Sequence, residues 1–362
     1  MMKEPIKPFA TGHEELIHNV AYDFYGKQLA TCSSDQHIKV FDLDPLTSTW
    51  VLNDSWKAHD SSVVKVVFAS PEFGHILASI SFDRTIKIWE EDFDEQNGSG
   101  RRWKKMATIS DSYGPLYDIS FAPSHLGLRI GTIGNDGILR VYDAIEPSDI
   151  RHWTLTNEIN VLSSPPAPQL QSDFSLSWCP SRFSSEKLVV CALDQGFIYQ
   201  KNKNDKFVLA TQLPEHNGLI RSVSWAPSMG RYYQLIATGC KDGLVRIFKL
   251  TETIGNKSVP NDDQMDTSRD EDIEGTGSAL NARNDHNNNN NNIGSGADNS
   301  LNHIHVELLS SHDDHKGEVW KVKWNLTGSI LSSAGDDAKI RLWKATYSNK
   351  FQCMSVISAQ QK

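Results

Sequence analysis

One short pattern recurs along this 362-residue chain: Asp, two variable residues, an aliphatic, Lys or Arg, a second aliphatic and an aromatic. It occupies residues 35–41, 83–89, 136–142, 242–248 and 337–343, opening on Asp35, Asp83, Asp136, Asp242 and Asp337. A degenerate sixth copy opens on Asp194, lacks the basic residue and places Gln200 where the aromatic is expected. Self-similarity of this kind marks a repeat architecture, in which no unit buries its apolar face alone. Six residues before each Asp stands Leu29, Leu77, Ile130, Leu188, Ile236 or Leu331, and four before it Thr31, Ser79, Thr132, Val190, Thr238 or Ser333. Further upstream, an alternating element ends in Phe24, Phe68, Phe121, Trp178, Trp225 or Trp324. Alternation is the period of a strand. Pro71, Pro123, Pro180 and Pro227 mark turns after four of these elements.

Each unit therefore supplies three strands, and a fourth is expected after the aromatic, at residues 49–57, 102–109, 151–157, 206–213, 303–309 and 350–357. Successive Asp residues lie 48, 53, 58 and 48 apart, and the last interval of 95 holds an insertion. Four strands per unit, the Gly12-His13 and Ala58-His59 openings, the turn Asp and the terminal aromatic resemble the WD-repeat family over nearly the whole chain. The expected fold is all-β: a six-bladed WD-repeat β-propeller, open, with a disordered insertion in blade five. The blades fall at about 11–57, 58–110, 111–157, 171–213, 214–309 and 312–358, inside a propeller of 11–360 that follows a tail of 1–10.

The six Asp positions (35, 83, 136, 194, 242 and 337) read as structural. An Asp in a tight turn accepts backbone N–H bonds. In WD-repeat proteins it also orients a repeat His that leads through Ser or Thr to the aromatic, and the resemblance joins Asp35 with His13, Asp83 with His59, and Asp242 with His216. Buried polar groups need such partners, so these His are read as internal ties and not as catalysts. Residues 312–315, His-Asp-Asp-His, occupy the repeat-His position and are not read as a metal site. His303 and His305 share a strand face but lack an acidic or thiolate partner. No nucleophile elbow, phosphate-binding loop or dinucleotide fingerprint is present. No enzyme activity, cofactor or metal is expected.

Charge narrows the partners. The net charge of −9 argues against direct nucleic-acid binding and against an anionic membrane surface. No apolar run reaches the roughly 18 residues needed to span a bilayer. The first sixteen residues have no apolar core, so no secretory signal is expected. The five cysteines are widely spaced without a CxxC pair and read as reduced thiols. Residues 251–300 are rich in Asp, Asn, Ser and Gly, include six consecutive Asn at 287–292, and lack the aromatics needed to form a core. A shorter disordered loop is expected at 92–100.

Many propellers close by taking their last strand from the N-terminus. Here the sixth unit has its own fourth strand, and the residues before Gly12 offer only Ile6 and Phe9 as sizeable apolar groups. Nothing remains to pin blade one to blade six. The expected consequence is a partner chain that inserts strands there by β-augmentation. The seam candidates are Leu16, Val20, Tyr22, Val319, Val322, Trp324, Met354 and Val356.

A narrower resemblance lies in residues 30–41, 135–143, 177–183, 239–243 and 313–343 and in the tail 344–349. There the chain is similar to the fungal Sec-thirteen-homologue nucleoporins, WD-repeat subunits of the Y-shaped outer-ring complex of the nuclear pore, and the likeness runs from about 8 to 360 outside the insertion. The resemblance implies an open six-bladed ring, completed in trans by a blade from an α-helical scaffold nucleoporin. It also implies other outer-ring nucleoporins as partners, and a second place among the subunits of a vacuole-associated complex that regulates TOR signalling. Location at the nuclear envelope and the vacuole membrane periphery follows, with only indirect support of protein and mRNA transport. The competing expectation is a peptide-recognition adaptor, such as a ubiquitin-ligase substrate receptor, working through the mouth of a closed ring.

Overall fold

A computed structural model describes residues 9–146, 148–167, 170–182, 185–214, 216–253, 303–348 and 350–358. These residues build six four-stranded antiparallel sheets, each from four strands consecutive in sequence. Blade one holds β1 (Ile17–Tyr22), β2 (Gln28–Ser33), β3 (His37–Leu43) and β4 (Trp50–Lys57). Blade two holds β5 (Val63–Phe68), β6 (Ile76–Ser81), β7 (Ile86–Glu91) and β8 (Trp103–Ile109). Blade three holds β9 (Leu116–Phe121), β10 (Arg129–Gly134), β11 (Ile138–Ala144) and β12 (Trp153–Asn160). Blade four holds β13 (Phe174–Trp178), β14 (Lys187–Ala192), β15 (Gln195–Lys201) and β16 (Phe207–Leu213). Blade five holds β17 (Ile220–Trp225), β18 (Gln234–Cys240), β19 (Val245–Thr253) and β20 (His303–His312). Blade six holds β21 (Val319–Trp324), β22 (Ile330–Gly335), β23 (Lys339–Ala345) and β24 (Phe351–Ser358).

The repeat Asp sets the turn between the second and third strands. Asp35 Oδ1 accepts the His37 N–H at 2.9 Å, Asp83 Oδ1 that of Thr85 at 2.9 Å, and Asp242 Oδ1 that of Leu244 at 3.0 Å. The residue after each Asp takes a left-handed conformation: Gln36, Arg84, Gly137, Gly243 and Ala338 all have positive φ. Two of these five are glycine, which adopts it without steric cost.

Blade four departs from this plan. Elsewhere the aliphatic ahead of the turn pairs with the repeat aromatic: Leu29 with Phe41, Leu77 with Trp89, Leu331 with Trp343. In blade four Leu188 pairs with Tyr199. Tyr199, not Gln200, is thus the aromatic equivalent. The loop has lost one residue, since Cys191 pairs with Gly196 across five positions where Cys32 pairs with Ile38 across six. Asp194 lies exposed in the shortened turn and does not occupy the position of the other repeat Asp residues. Val190 pairs with Phe197, so an apolar pair replaces the usual polar one.

The loop at 92–100 is ordered, contrary to expectation. Asp54, fully buried on blade one, accepts the Gly100 N–H at 2.7 Å and the Arg102 N–H at 2.9 Å, and the Asn53 carbonyl accepts the Gly98 N–H at 2.6 Å. Blade one thus supplies the partners this loop needs. Of the expected insertion, 251–253 belong to β19 and 254–302 lie outside the described residues, as do residues 1–8 of the tail. β19 and β20 pair from Val245–His312 to Thr253–His303, so the insertion leaves blade five between its third and fourth strands.

Each innermost strand packs on the first two strands of the preceding blade: β5 on β1 and β2, β9 on β5 and β6, β13 on β9 and β10, β17 on β13 and β14, β21 on β17 and β18. The contact is close. A Cβ added to Gly239 on β18 would stand 2.8 Å from Val319 Cγ1 and 3.1 Å from Val322 Cγ1 of β21. Among the described residues no comparable packing joins β1 to β21 or β22. The ring is open at that point.

Gly239→Val should force blade six away from blade five and lower stability by about 1–3 kcal/mol. Chemical denaturation of the purified chain, compared with Thr108→Val at an exposed position of β8, measures it.

Candidate functional site

Three of the repeat His residues complete polar chains. His59 Nδ1 bonds Asp83 Oδ2 at 2.9 Å, its Nε2 bonds Ser79 Oγ at 2.8 Å, and Trp89 Nε1 donates to the same Ser79 Oγ at 2.9 Å. His315 repeats this with Asp337 at 2.9 Å, Ser333 at 2.7 Å and Trp343 Nε1 to Ser333 at 2.8 Å. His13 bonds Asp35 at 2.7 Å and Thr31 at 2.8 Å, ending on Phe41, which has no donor. In blade two, Trp89 donating to Ser79, the Ser79 hydroxyl donating to His59 Nε2 and His59 Nδ1–H donating to Asp83 fit a neutral imidazole. Burial lowers the pKa of His59 against the raising pull of Asp83. Burial also pushes Asp83 up, but the hydrogen bonds from His59 and Thr85 outweigh it and hold the carboxyl well below its ordinary range.

Other copies are modified. His216 Nε2 bonds Thr238 Oγ1 at 2.9 Å, but no hydrogen bond joins it to Asp242, which instead pairs with Arg246 at 2.7 Å. In blade three Ser112 stands where the His is expected, and the buried Arg140 takes Asp136 at 2.7 Å. The 312–315 segment splits: His315 turns inward, while His312 stacks on Trp343 at 4.4 Å. Among the described residues no group of three His, Cys, Asp or Glu is placed to hold a metal ion.

The open seam is defined by comparing equivalent positions. The residue of the innermost strand that pairs with the Ser/Thr position is Val66, Ile119, Leu176, Val223 or Val322 in blades two to six, and all five are buried. In blade one it is Val20, 49% exposed. Its neighbours Ile17 and Tyr22, at 41% and 59%, match Val63 and Phe68, which blade one covers. The opposite wall shows the same break. Ile38, Ile86, Leu139 and Val245 stand first or second in their third strands and are buried beneath the following blade, whereas Ile340 is 43% exposed. Leu342 and Ile357 share its face, because Ile340 pairs with Ile357 and Leu342 lies two residues along.

Of the eight seam candidates, Val20 and Tyr22 line blade one's open face. Met354 is the extra residue in a β24 bulge, the position that in blade one carries Asn53 toward blade two. Leu16 is exposed at the margin, ahead of β1. Val319, Val322 and Trp324 are not in the seam; they are buried against Ala226, Leu235 and Ala237 of blade five. Val356 pairs with Arg341, whose guanidinium reaches His315, so it lies on the other face of blade six. Ile17, Ile340, Leu342 and Ile357 were missed. The signal for them was the cross-strand partner, since paired residues point to one face. The seam is also a gap between two complete sheets, not an unpaired edge, so an occupant stacks face to face and does not extend a sheet. At its outer rim Phe9 packs on Phe41 at 5.4 Å and Trp50 at 6.4 Å, the place that Trp56 takes against Trp89 and Trp103 one interface further on.

Charged groups gather where the innermost strands converge. Lys65 pairs with Asp118, and Arg221 bridges Asp173 at 3.1 Å and Glu318 at 2.8 Å while lying over Trp320. Burial raises Asp173 to about 6 despite Arg221. A 430 Å³ cavity here is lined by Asn19, Val20, Lys65, Asp118, Arg221 and Lys321 among others.

Known proteins share this plan. A model of the WD domain, G-beta repeat, matches residues 4–42, 50–90, 207–249 and 306–344. Nucleoporin SEH1 of Saccharomyces cerevisiae is 60% identical over 360 residues, covering 98% of this chain and 100% of its own. This chain belongs to the SEH1 nucleoporin family. Nucleoporin seh1 of Schizosaccharomyces pombe is 39% identical over 352 residues, with 97% and 96% coverage, and human Nucleoporin SEH1 32% identical over 364, with 97% and 88%. SEH1 proteins are structural WD-repeat scaffolds, not enzymes. The repeat matches take in the inner three strands of blades one, two, five and six, whose His-to-Ser/Thr bonds are intact, and pass over those of blades three and four, where Ser112 and the shortened turn replace them.

Burial pushes His216 down to about 4 from 6.5. Its folded-state pKa is depressed, so the unfolded chain takes the proton first and stability rises with pH across that window. One such group contributes a slope of at most about 1.4 kcal/mol per pH unit. His216→Asn should remove that slope between pH 4 and 6.5, as read from denaturant unfolding at a series of pH values.

Proposed function

We propose that this SEH1-family chain is a non-enzymatic scaffold subunit of the outer-ring complex of the nuclear pore, and that an α-helical scaffold nucleoporin completes its ring by placing a seventh blade in the seam. The carrying observation is that Ile17, Val20 and Ile340 are exposed at positions buried in the other blades, and Tyr22 is exposed at a position buried or half-buried in them. Each of these side chains is about half covered already, so covering the remainder is worth roughly 1 kcal/mol apiece, which adds to the area of the rest of the two faces against the ordering costs of binding. The nucleoporin names of the relatives support residence at the nuclear pore, with other nucleoporins as neighbours. Contribution to protein and mRNA transport is then architectural, consistent with a net charge of −9.

A second assignment, to a vacuole-associated complex that regulates TOR signalling, rests on the resemblance of the sequence to its family. The same seam serves both assemblies if each contains a chain able to supply a blade.

Val20→Asp with Ile340→Asp places charge on both walls without disturbing a closed interface. The double variant should melt within about 1 kcal/mol of the parent chain and lose its stoichiometric helical partners in tagged purification under mild conditions. Full retention of those partners would move the binding site elsewhere, and recovery of a ubiquitin ligase instead would favour an adaptor.

A further inference from the structure

Three of the five closed interfaces carry polar acceptors on their innermost strands, and blade six does not continue the pattern. In blades four and five, two serines that face the next blade accept backbone N–H groups from its innermost strand. Ser175 Oγ accepts from Val223 at 2.9 Å and Ser177 Oγ from Trp225 at 3.0 Å. Ser222 Oγ accepts from Val322 at 3.3 Å and Ser224 Oγ from Trp324 at 3.4 Å. Asp118 does the same from blade three, accepting the Leu176 N–H at 2.8 Å. The corresponding positions of blade six are Lys321, paired with Ala334, and Lys323, paired with Ser332. An ammonium group donates and cannot accept, so these residues cannot receive backbone N–H groups as the serines do. Both are exposed, and among the described residues neither lies within ion-pair distance of a carboxylate.

The chain itself shows how a lysine at this position is satisfied. Lys65 is the equivalent residue of blade two, pairing with Ile80 as Lys321 pairs with Ala334. It forms an ion pair with Asp118, the equivalent residue on the innermost strand of blade three. A lysine at this position is thus met by a carboxylate one blade on. Blade one does not offer one: its equivalents are Asn19 and Ala21. Neither closure of this ring on itself nor blade one of a second copy would therefore meet the charge.

We infer that Lys321 and Lys323 select the blade that fills the seam, and that its innermost strand carries an Asp or Glu at the position Asp118 holds in blade three. This rests on the seam being filled in trans and adds the chemistry that recognises the occupant: an apolar sheet face against Ile340 and Leu342, with an acidic residue at its channel end. A charge pair withdrawn from water in this way discriminates strongly, because the wrong partner leaves an ammonium buried without a counter-ion.

The test uses the native complex purified through a tag on the full-length chain. A carbodiimide, which joins amine to carboxylate with no spacer, is expected to link Lys321 or Lys323 to an Asp or Glu of the partner. A longer lysine-to-lysine reagent reports independently whether that partner sits between blades one and six. Lys321→Glu with Lys323→Glu should weaken the purified two-chain complex at least tenfold while leaving the melting temperature of the free chain unchanged. Lys321→Met with Lys323→Met should weaken it less, and stands in if the Glu variant does not fold. A partner mapped to the seam, with no carboxylate link and full affinity for both variants, overturns this inference and leaves the seam reading intact. A complex with no chain linked to blades one and six overturns both.

Discussion

A blade of this protein is a sheet with two apolar faces, and each face is buried only when another blade lies on it. Five face-to-face contacts between consecutive blades supply most of the core, through rows such as Cys32, Ile38 and Trp56 beneath Val63 and Val66. Two faces have no consecutive neighbour, and they hold the exposed Ile17, Val20, Tyr22 and Ile340. Contiguous apolar surface of this kind is uncommon on a free monomer and marks a place where something binds. The proposed function follows from the same physics as the fold: an array with one uncovered face at each end offers both faces to a partner.

Polar groups fix how the blades meet without supplying the drive. The Trp–Ser–His–Asp chains of blades two and six saturate buried donors and acceptors that would each cost roughly 1–3 kcal/mol if left alone. The serine hydroxyls of β13 and β17 do the same between blades, and each fits only one register because it must meet one backbone N–H. At the seam this layer changes sign, from serine acceptors to Lys321 and Lys323. In the proposed complex, apolar area there gives affinity and the lysines add selection.

Much of the fold was legible because a propeller repeats its signals. The turn Asp, the aliphatic six residues earlier and the aromatic six residues later fix three strands per unit, and the fourth follows by spacing. Blade four misled because a one-residue deletion in its turn left Asp194 looking aligned while the true aromatic, Tyr199, moved by one. The 92–100 loop looked disordered because its acceptors, Asn53 and Asp54, lie in another blade and carry no local signal. The seam was legible in part. The strand count implied an open ring, and Val20 and Tyr22 followed from blade one's position. Val319, Val322 and Trp324 went wrong because a strand has two faces, and only cross-strand register says which one meets blade five. Ile340 was hidden for the same reason.

The central claim is that another chain's sheet fills the space between blades one and six. The most direct measurement is a cryo-electron microscopy structure of the native complex at a resolution that separates strands. Expected is an additional β-sheet, covalently part of the partner, lying on Ile17, Val20 and Tyr22 on one side and on Ile340 and Leu342 on the other. A ring closed by direct contact of β1 with β21 and β22, or a partner bound elsewhere with the seam open to solvent, would contradict the account.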